Sequence, residues 1–374
     1  MRTKDINEAL QTLQQIEKES RDFIAPANKL AMIMELTDSP EEVKYLHLQP
    51  VQPELYINEY EQMPLNPWAH NQLAEKLGIP QKYYDRMLKE EPFLLRENTN
   101  TWLRKNATGK YLVRTTAGQV RAILSDRYRP IPNEAVTWGV LATLNEIKLK
   151  QGTGFTVREC ALSETTMYLK VTADTVHLMK PEYVNSEKPE LNGDPMFPGI
   201  MIRNSEVGAS RFQVDIYTWR QWCSNGAILT TGLSKIHLGR KIGGEGEIRF
   251  SEMTEELDTA TVLSGMKDIV QQAFEPAKMQ ELIERIKAGQ QVKVDEPVVA
   301  VENLCKAWKL PDTYKDEILA RFGDKTVYGL GNAVTEFARD QESIENQIKL
   351  EEIGGEILVL DEEAFRNAVV RKET

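Results

Sequence analysis

The residues best suited to chemistry in this sequence are cations interleaved with aromatic rings, in two stretches. Lys105, Lys110, Arg114, Arg121, Arg127 and Arg129 crowd the first, with Tyr111 and Tyr128 among them. Arg203, Arg211, Arg220, Lys235, His237, Arg240 and Lys241 form the second, with Trp219 and Trp222. Cations that follow a phosphate backbone, beside rings on which bases stack, are what single-stranded nucleic acid requires of a protein surface. Stacking contributes about 1 to 3 kcal/mol per base, so a few exposed rings would matter. The nucleic-acid-binding set expected on this basis is Lys110, Arg114, Arg121, Arg127, Tyr128, Arg129, Arg203, Arg211, Trp219, Arg220, Lys235, His237, Arg240 and Lys241. It requires that two stretches distant in the chain fold into one groove. The competing reading makes the rings core and leaves the cations solvated or neutralised by nearby carboxylates.

Other chemistries have thinner support. Cys223 is followed by Ser224, Asn225 and Gly226, and Arg220, His237 and Arg240 could promote its thiolate, but a free cysteine is usually buried and inert. Asp194, Glu206 and Asp215 could in principle gather a divalent metal as nucleases do, although Asp215 alternates within an apolar strand and is expected to face solvent. The sequence contains no CxxC pair, HExxH, GxSxG, Walker A loop or dinucleotide fingerprint, and its four histidines, His47, His70, His177 and His237, are too few for a histidine-rich centre. Gly243–Gly246 reads as a flexible turn. No catalytic residue, metal or cofactor is expected.

The elements that must position these side chains belong to a chain of 374 residues, longer than one ordinary core supports. Hydrophobic content of 41% and charged content of 28% are those of a folded globular protein. The net charge of −11 argues against electrostatic coating of nucleic acid, but it is unevenly spread. Residues 96–249 hold 21 Lys and Arg against 15 Asp and Glu, while the rest holds 25 against 42. The expectation is a basic middle between acidic flanks. The charged N-terminus predicts no signal peptide, and no window predicts a membrane helix. Three scattered cysteines favour a reducing compartment, so a cytoplasmic protein is expected.

Residues 4–22 space Ile6, Leu10, Leu13 and Ile16 as an amphipathic helix, and prolines between 40 and 67 predict an extended stretch. From Trp68, two short helices flank the corner Gly78–Ile79–Pro80; Lys82, Arg86 and Lys89 on the second would suit a DNA-reading helix, but Asp85, Glu90 and Glu91 favour a plain helical hairpin. KYLVRTT and VRAILSDRY around AGQ predict a β-hairpin, Asn133 a helix cap, and FTVRECAL with TMYLKVTA a second hairpin in the same antiparallel sheet. A polar loop over 180–199 and two strands follow. Helix returns over 251–287, then a helical module with one strand candidate, EILVL. The predicted class is α+β: an antiparallel sheet built from hairpins and packed with helices, with a mainly helical part over 1–95, a central domain over 96–250 and a helical C-terminal module with an acidic tail over 251–374.

Three stretches, VRTTAGQVRAILSDRYRPIPN, IRNSEVGASRFQVDIYTWRQWCSNGAI with KIHLGRK, and KTVYGLGNAVTEFAR, together resemble a phage- and plasmid-borne family called domain of unknown function nine-three-two, over roughly residues 70 to 345. Arg127, Tyr128, Pro130 and Asn133 match its arginine-tyrosine turn; Ser205, Gly208, Cys223, Asn225 and Gly226 match its central block, with His237 beyond; Asn332, Ala333, Val334 and Thr335 match its C-terminal signature. Relatives carry a histidine-aspartate-glycine-type turn where this chain has Asn204–Gly208, which weakens any histidine-based role there. The resemblance implies a mobile-element setting in DNA replication, recombination or defence. Joined to the basic and aromatic set, it predicts a homo-oligomeric protein that holds single-stranded DNA and assists annealing or recombination. The alternatives are a metal- or cysteine-dependent nuclease or hydrolase, and a defence or counter-defence module acting through acidic C-terminal helices.

Overall fold

The computed structural model describes residues 1–33, 54–58, 61–174, 196–220, 224–229, 252–366 and 369. A short strand, β1 (Arg2–Thr3), precedes the expected helix, α1 (Ile6–Glu19), where the Asp5 side chain accepts the Asn7 amide and Ala9, Leu10 and Leu13 are buried. The helix stops before residue 22 because β2 (Ser20–Pro26) leaves it as a strand. β3 (Ala31–Ile33), β4 (Glu54–Asn58) and β5 (Glu61–Pro64) form a small antiparallel sheet. Part of the proline-rich stretch is therefore paired backbone.

α2 (Pro67–Leu77), α3 (Gln81–Glu90) and α4 (Pro92–Lys105) follow, the first capped by Asn66 with proline at its opening position. In α3, Tyr84 and Met87 are buried and Arg86 pairs with Glu90 at 2.8 Å. Next come β6 (Lys110–Thr116) and β7 (Gln119–Ser125), the first predicted hairpin. Its turn residues Ala117 and Gly118 have φ of 49° and 77°, the left-handed pair of a type I′ turn, which matches the twist of the strands it joins.

α5 (Asn133–Gln151) buries the predicted stripe of Val136, Val140, Leu144 and Ile147. β8 (Phe155–Leu162), β9 (Met167–Ala173), β10 (Met196–Asn204), β11 (Gln213–Arg220) and β12 (Asn225–Leu229) are followed by the helices α6 (Glu252–Ala273), α7 (Pro276–Gln291), α8 (Pro297–Ala307), α9 (Tyr314–Arg321), α10 (Val327–Arg339), α11 (Ile344–Leu358) and α12 (Glu362–Phe365). The EILVL strand expectation fails, since most of that segment is the last turn of α11. Its β-branched residues sit at helical spacing with Leu350, Ile353 and Ile357 buried together, and burial overrides local strand preference.

The elements form an α+β protein with antiparallel sheets. The large sheet runs β1-β8-β9-β10-β11-β12, and a second runs β2-β6-β7. The two predicted hairpins thus lie in different sheets rather than one. A hairpin encodes its own turn but not its lateral neighbour, and here β2 takes the outer edge of β6 while β1 takes that of β8. One core joins α2, α3 and α4 to β6 and β7 through Leu73, Tyr84, Leu95, Leu103, Val113 and Ile123. A second joins α1, α5 and α6 to the large sheet through Leu13, Val140, Leu169, Ile202, Val214 and Val270. The first of these cores draws on residues between Ala25 and Ile123, the second on residues between Ala9 and Phe274. A third is formed by α8 to α12 and their connections, without a strand.

The large sheet has two unlike faces. Cys160, Leu169, Ile202 and Val214 enter the core beneath α5, while Lys170, Met201, Asp215 and Tyr217 face the other way, toward α11. Gly355 lets α11 approach β12, because a Cβ there would collide with the carbonyl of Ile228.

Candidate functional site

Several expected phosphate contacts are consumed inside the protein. Arg114 on β6 is buried; its Nε donates to both carboxylate oxygens of Asp22 at 3.0 Å, and Nη1 donates to the Glu206 carbonyl at 2.6 Å. Arg121 on β7 pairs with the Glu206 carboxylate, and Arg203 on β10 pairs with Glu352 on α11. Arg114, Arg121 and Arg203, expected as nucleic-acid ligands, are thus each paired with a carboxylate of the protein itself. A guanidinium removed from water needs a fixed counter-charge, and Asp22, Glu206 and Glu352 provide it. Tyr128 is half-buried and its hydroxyl donates to the Ser205 carbonyl at 3.0 Å, so it braces a turn instead of offering a stacking face. Arg129 is half-buried and donates to the carbonyls of Asp126 and Tyr128. Arg127 and Arg211 are exposed; Lys110, Arg220 and Trp219 are half-buried. Lys235, His237, Arg240 and Lys241, with Trp222 and Cys223, lie outside the described residues.

The stretch Asn204–Gly208 is a clamp between the two sheets. Asn204 donates to the Ile131 carbonyl at 2.9 Å and to the Asn133 side chain at 2.8 Å. Ser205 donates to the Thr165 carbonyl at 2.7 Å, and the Val207 carbonyl accepts from Trp68 at 2.9 Å and from Gln72 at 2.8 Å. Glu206 also accepts the Asn133 amide at 2.6 Å. Asn133, expected as the helix cap, is instead the first helical residue, and the carboxylate of Glu206 caps α5 from across the turn. Nearby Glu17 titrates above the ordinary carboxylate range, chiefly through burial and also through repulsion from Glu206. The other motifs serve packing as well: Asn225 on β12 donates to the Thr335 hydroxyl on α10, and Asn332 donates to the Tyr328 carbonyl at 2.9 Å.

On the polar face of the large sheet, Lys170 is 2% exposed and its Nζ lies 2.8 Å from both Glu159 on β8 and Glu351 on α11. Burial opposes its charge, yet the two carboxylates hold the ammonium above the usual lysine range. Burial also raises the Glu351 carboxyl. Asp215, expected to face solvent, is buried and accepts from Gln213 at 2.8 Å; alternation placed it opposite the apolar core, but α11 covers that side. Of the three carboxylates considered for a metal, Glu206 and Asp215 are held by partners of their own and Asp194 lies outside the described residues; among the described residues no group of three or more His, Cys, Asp or Glu is placed to hold a metal ion. Burial pushes the Cys160 thiol up to about 11 and raises that of Cys305, the opposite of an activated nucleophile.

One arrangement on this face remains partly open. The pairing of β8 with β9 slips between Val157 and Glu159, a bulge that sets Arg158 beside Glu159 on the polar face instead of alternating into the core. The Arg158 guanidinium lies 3.7 Å from the centroid of the Trp219 ring and 5.7 Å from that of Phe197, and Phe197 pairs with Trp219 across β10 and β11. Its Nε donates to the Thr172 hydroxyl at 2.7 Å, and Asp174 approaches Nη2 only to 3.8 Å. The side chain is 21% exposed, and partial burial lowers its pKa, so the charge is oriented but not fully neutralised. Sequence reading found Trp219 but missed Arg158, which looked like one more residue of an alternating strand; a bulge leaves no such signature. No protein-family model, no curated protein and no solved structure matches the chain. Among the described residues no helix is long and apolar enough to cross a membrane.

Proposed function

We propose that the chain binds single-stranded nucleic acid, without a cofactor, at the end of the large sheet marked by Arg158 and Trp219. The observation that supports this reading is the stacked, partly exposed guanidinium over an indole: a held cation for a phosphate beside an aromatic edge for a base. In the sequence, Lys235, His237, Arg240 and Lys241 follow β12. Exposed Arg127 and Arg211 would add phosphate contacts elsewhere along the strand. With Arg114, Arg121 and Arg203 already paired inside the protein, few phosphates are neutralised, so binding is weak and its salt slope shallow. A cytoplasmic role in annealing or recombination of a phage or plasmid genome follows from the resemblance noted above and belongs to the same proposal. Fluorescence anisotropy with a labelled oligonucleotide across a salt series tests it. Binding at low salt with a modest negative slope supports the reading; absence of binding at low salt ends it.

A further inference from the structure

α4 presents one outward face without an acidic residue. Leu94, Asn98, Trp102 and Lys105 recur at i, i+4, i+8 and i+11, so they share a stripe beside the buried residues Leu95, Thr99 and Leu103. Leu94 and Trp102 are each 47% exposed, and the Lys105 ammonium lies 5.1 Å from the centroid of the Trp102 ring. After the helix, the Gly109 carbonyl accepts the Ala27 amide at 2.8 Å, which brings the short turn Ala27–Lys29, packed on α4, to this end of the helix. Lys29, Arg104 and Lys105 are exposed, and none has a carboxylate partner among the described residues. Near the other end of the helix, Arg96 also lies over a ring, that of Phe93, but it is paired with Glu97 at 2.9 Å. Cations in a last helical turn offset the partial negative charge of its carbonyls, which accounts for Arg104 and Lys105 but not for a half-exposed indole under one of them.

We propose that this end of α4 is a second contact for single-stranded nucleic acid, with a base stacked on the exposed part of Trp102 and phosphates held by Lys105, Arg104 and Lys29. The inference rests on the nucleic-acid reading above but on none of the residues at the end of the large sheet. Charge and shape together select the occupant. Unpaired cations suit a polyanion, and an open indole among them suits a polyanion that carries rings, which a bare phosphate chain or an acidic peptide backbone does not. The sequence reading had counted Lys105 among the cations of the first stretch and passed over Trp102, because the ring stands on a helix outside the predicted sheet.

Fluorescence anisotropy on the full chain at low salt, with a labelled oligothymidylate and with an abasic strand of the same length, reads the contact. Trp102→Ala should weaken binding of the oligothymidylate by about 5- to 150-fold, leave the affinity for the abasic strand unchanged and keep native circular dichroism. Lys105→Gln should weaken binding of both strands and lower the salt slope by about 1. Affinities unchanged in both variants, or a Trp102→Ala loss equal for the two strands, overturns the proposal. Arg158→Ala separates the two sites: if it weakens binding while the α4 variants do not, the end of the large sheet stands and this contact falls, and the reverse result keeps this contact and removes that one. A wild type that binds neither strand overturns both.

Discussion

Glu206 shows how much one residue can organise: its carboxylate answers Arg121 and the backbone amide of Asn133 at the start of α5, while its carbonyl receives Arg114. Glu206→Gln keeps an oxygen for the amide but strands the Arg121 charge, which is largely buried. Breaking such a pair costs about 3 to 5 kcal/mol, so the urea midpoint should fall markedly at constant m-value. A neutral effect on stability accompanied by tighter oligonucleotide binding would instead return Arg121 to the nucleic-acid surface. His70 gives a second residue-scale prediction. It is buried with Nδ1 2.8 Å from the Tyr84 hydroxyl, and burial lowers its pKa from 6.5 to about 4. Between those values the unfolded chain binds the proton and the folded chain does not, so acidification through this window costs stability, up to about 3 kcal/mol. The stability advantage of wild type over His70→Asn should therefore shrink as pH drops from 6.5 to 4 in paired urea titrations.

At the scale of elements, α11 is held to the large sheet as much by charge as by apolar contact, through Lys170 with Glu351, Arg203 with Glu352 and Gln347 with Glu159. Lys170→Met leaves the buried carboxylate of Glu351 facing the half-buried Glu159 without a cation and should destabilise the protein by about 3 to 5 kcal/mol. Adding Glu351→Leu removes one of them and should recover much of the loss in a double-mutant cycle. Additive losses would mean that the two groups do not act on each other. Local elements were the legible part of the sequence: AGQ between two β-branched runs named the first hairpin, and the stripe from Val136 to Ile147 named α5. What was not legible was non-local. Nothing in FTVRECAL announces the bulge that turns Arg158 outward, and nothing near Asp215 announces that a helix far along the chain will cover it. EILVL misled because β-branched residues carry a strand preference that packing of α11 against α10 and β12 overrides.

At the scale of the whole molecule, the cations of the basic middle do not join into a continuous positive trough among the described residues. Its arginines divide between the junction of the two sheets, the contact with α11, and a small open set around Trp219. Sequence types were read correctly as cations among rings, but their partners Asp22, Glu206 and Glu352 lie too far off in sequence for pairing to be foreseen. The fold class emerged from the sequence, whereas the site shrank to a stack that sequence reading had half found. Oligonucleotide affinity at fixed low salt, compared among wild type, Arg158→Ala and Trp219→Ala, bears most directly on that stack. Each substitution should weaken binding by about 5- to 150-fold, the equivalent of about 1 to 3 kcal/mol of lost stacking and phosphate contact, with native circular dichroism retained. Affinities unchanged in both variants would contradict a nucleic-acid role for this end of the sheet.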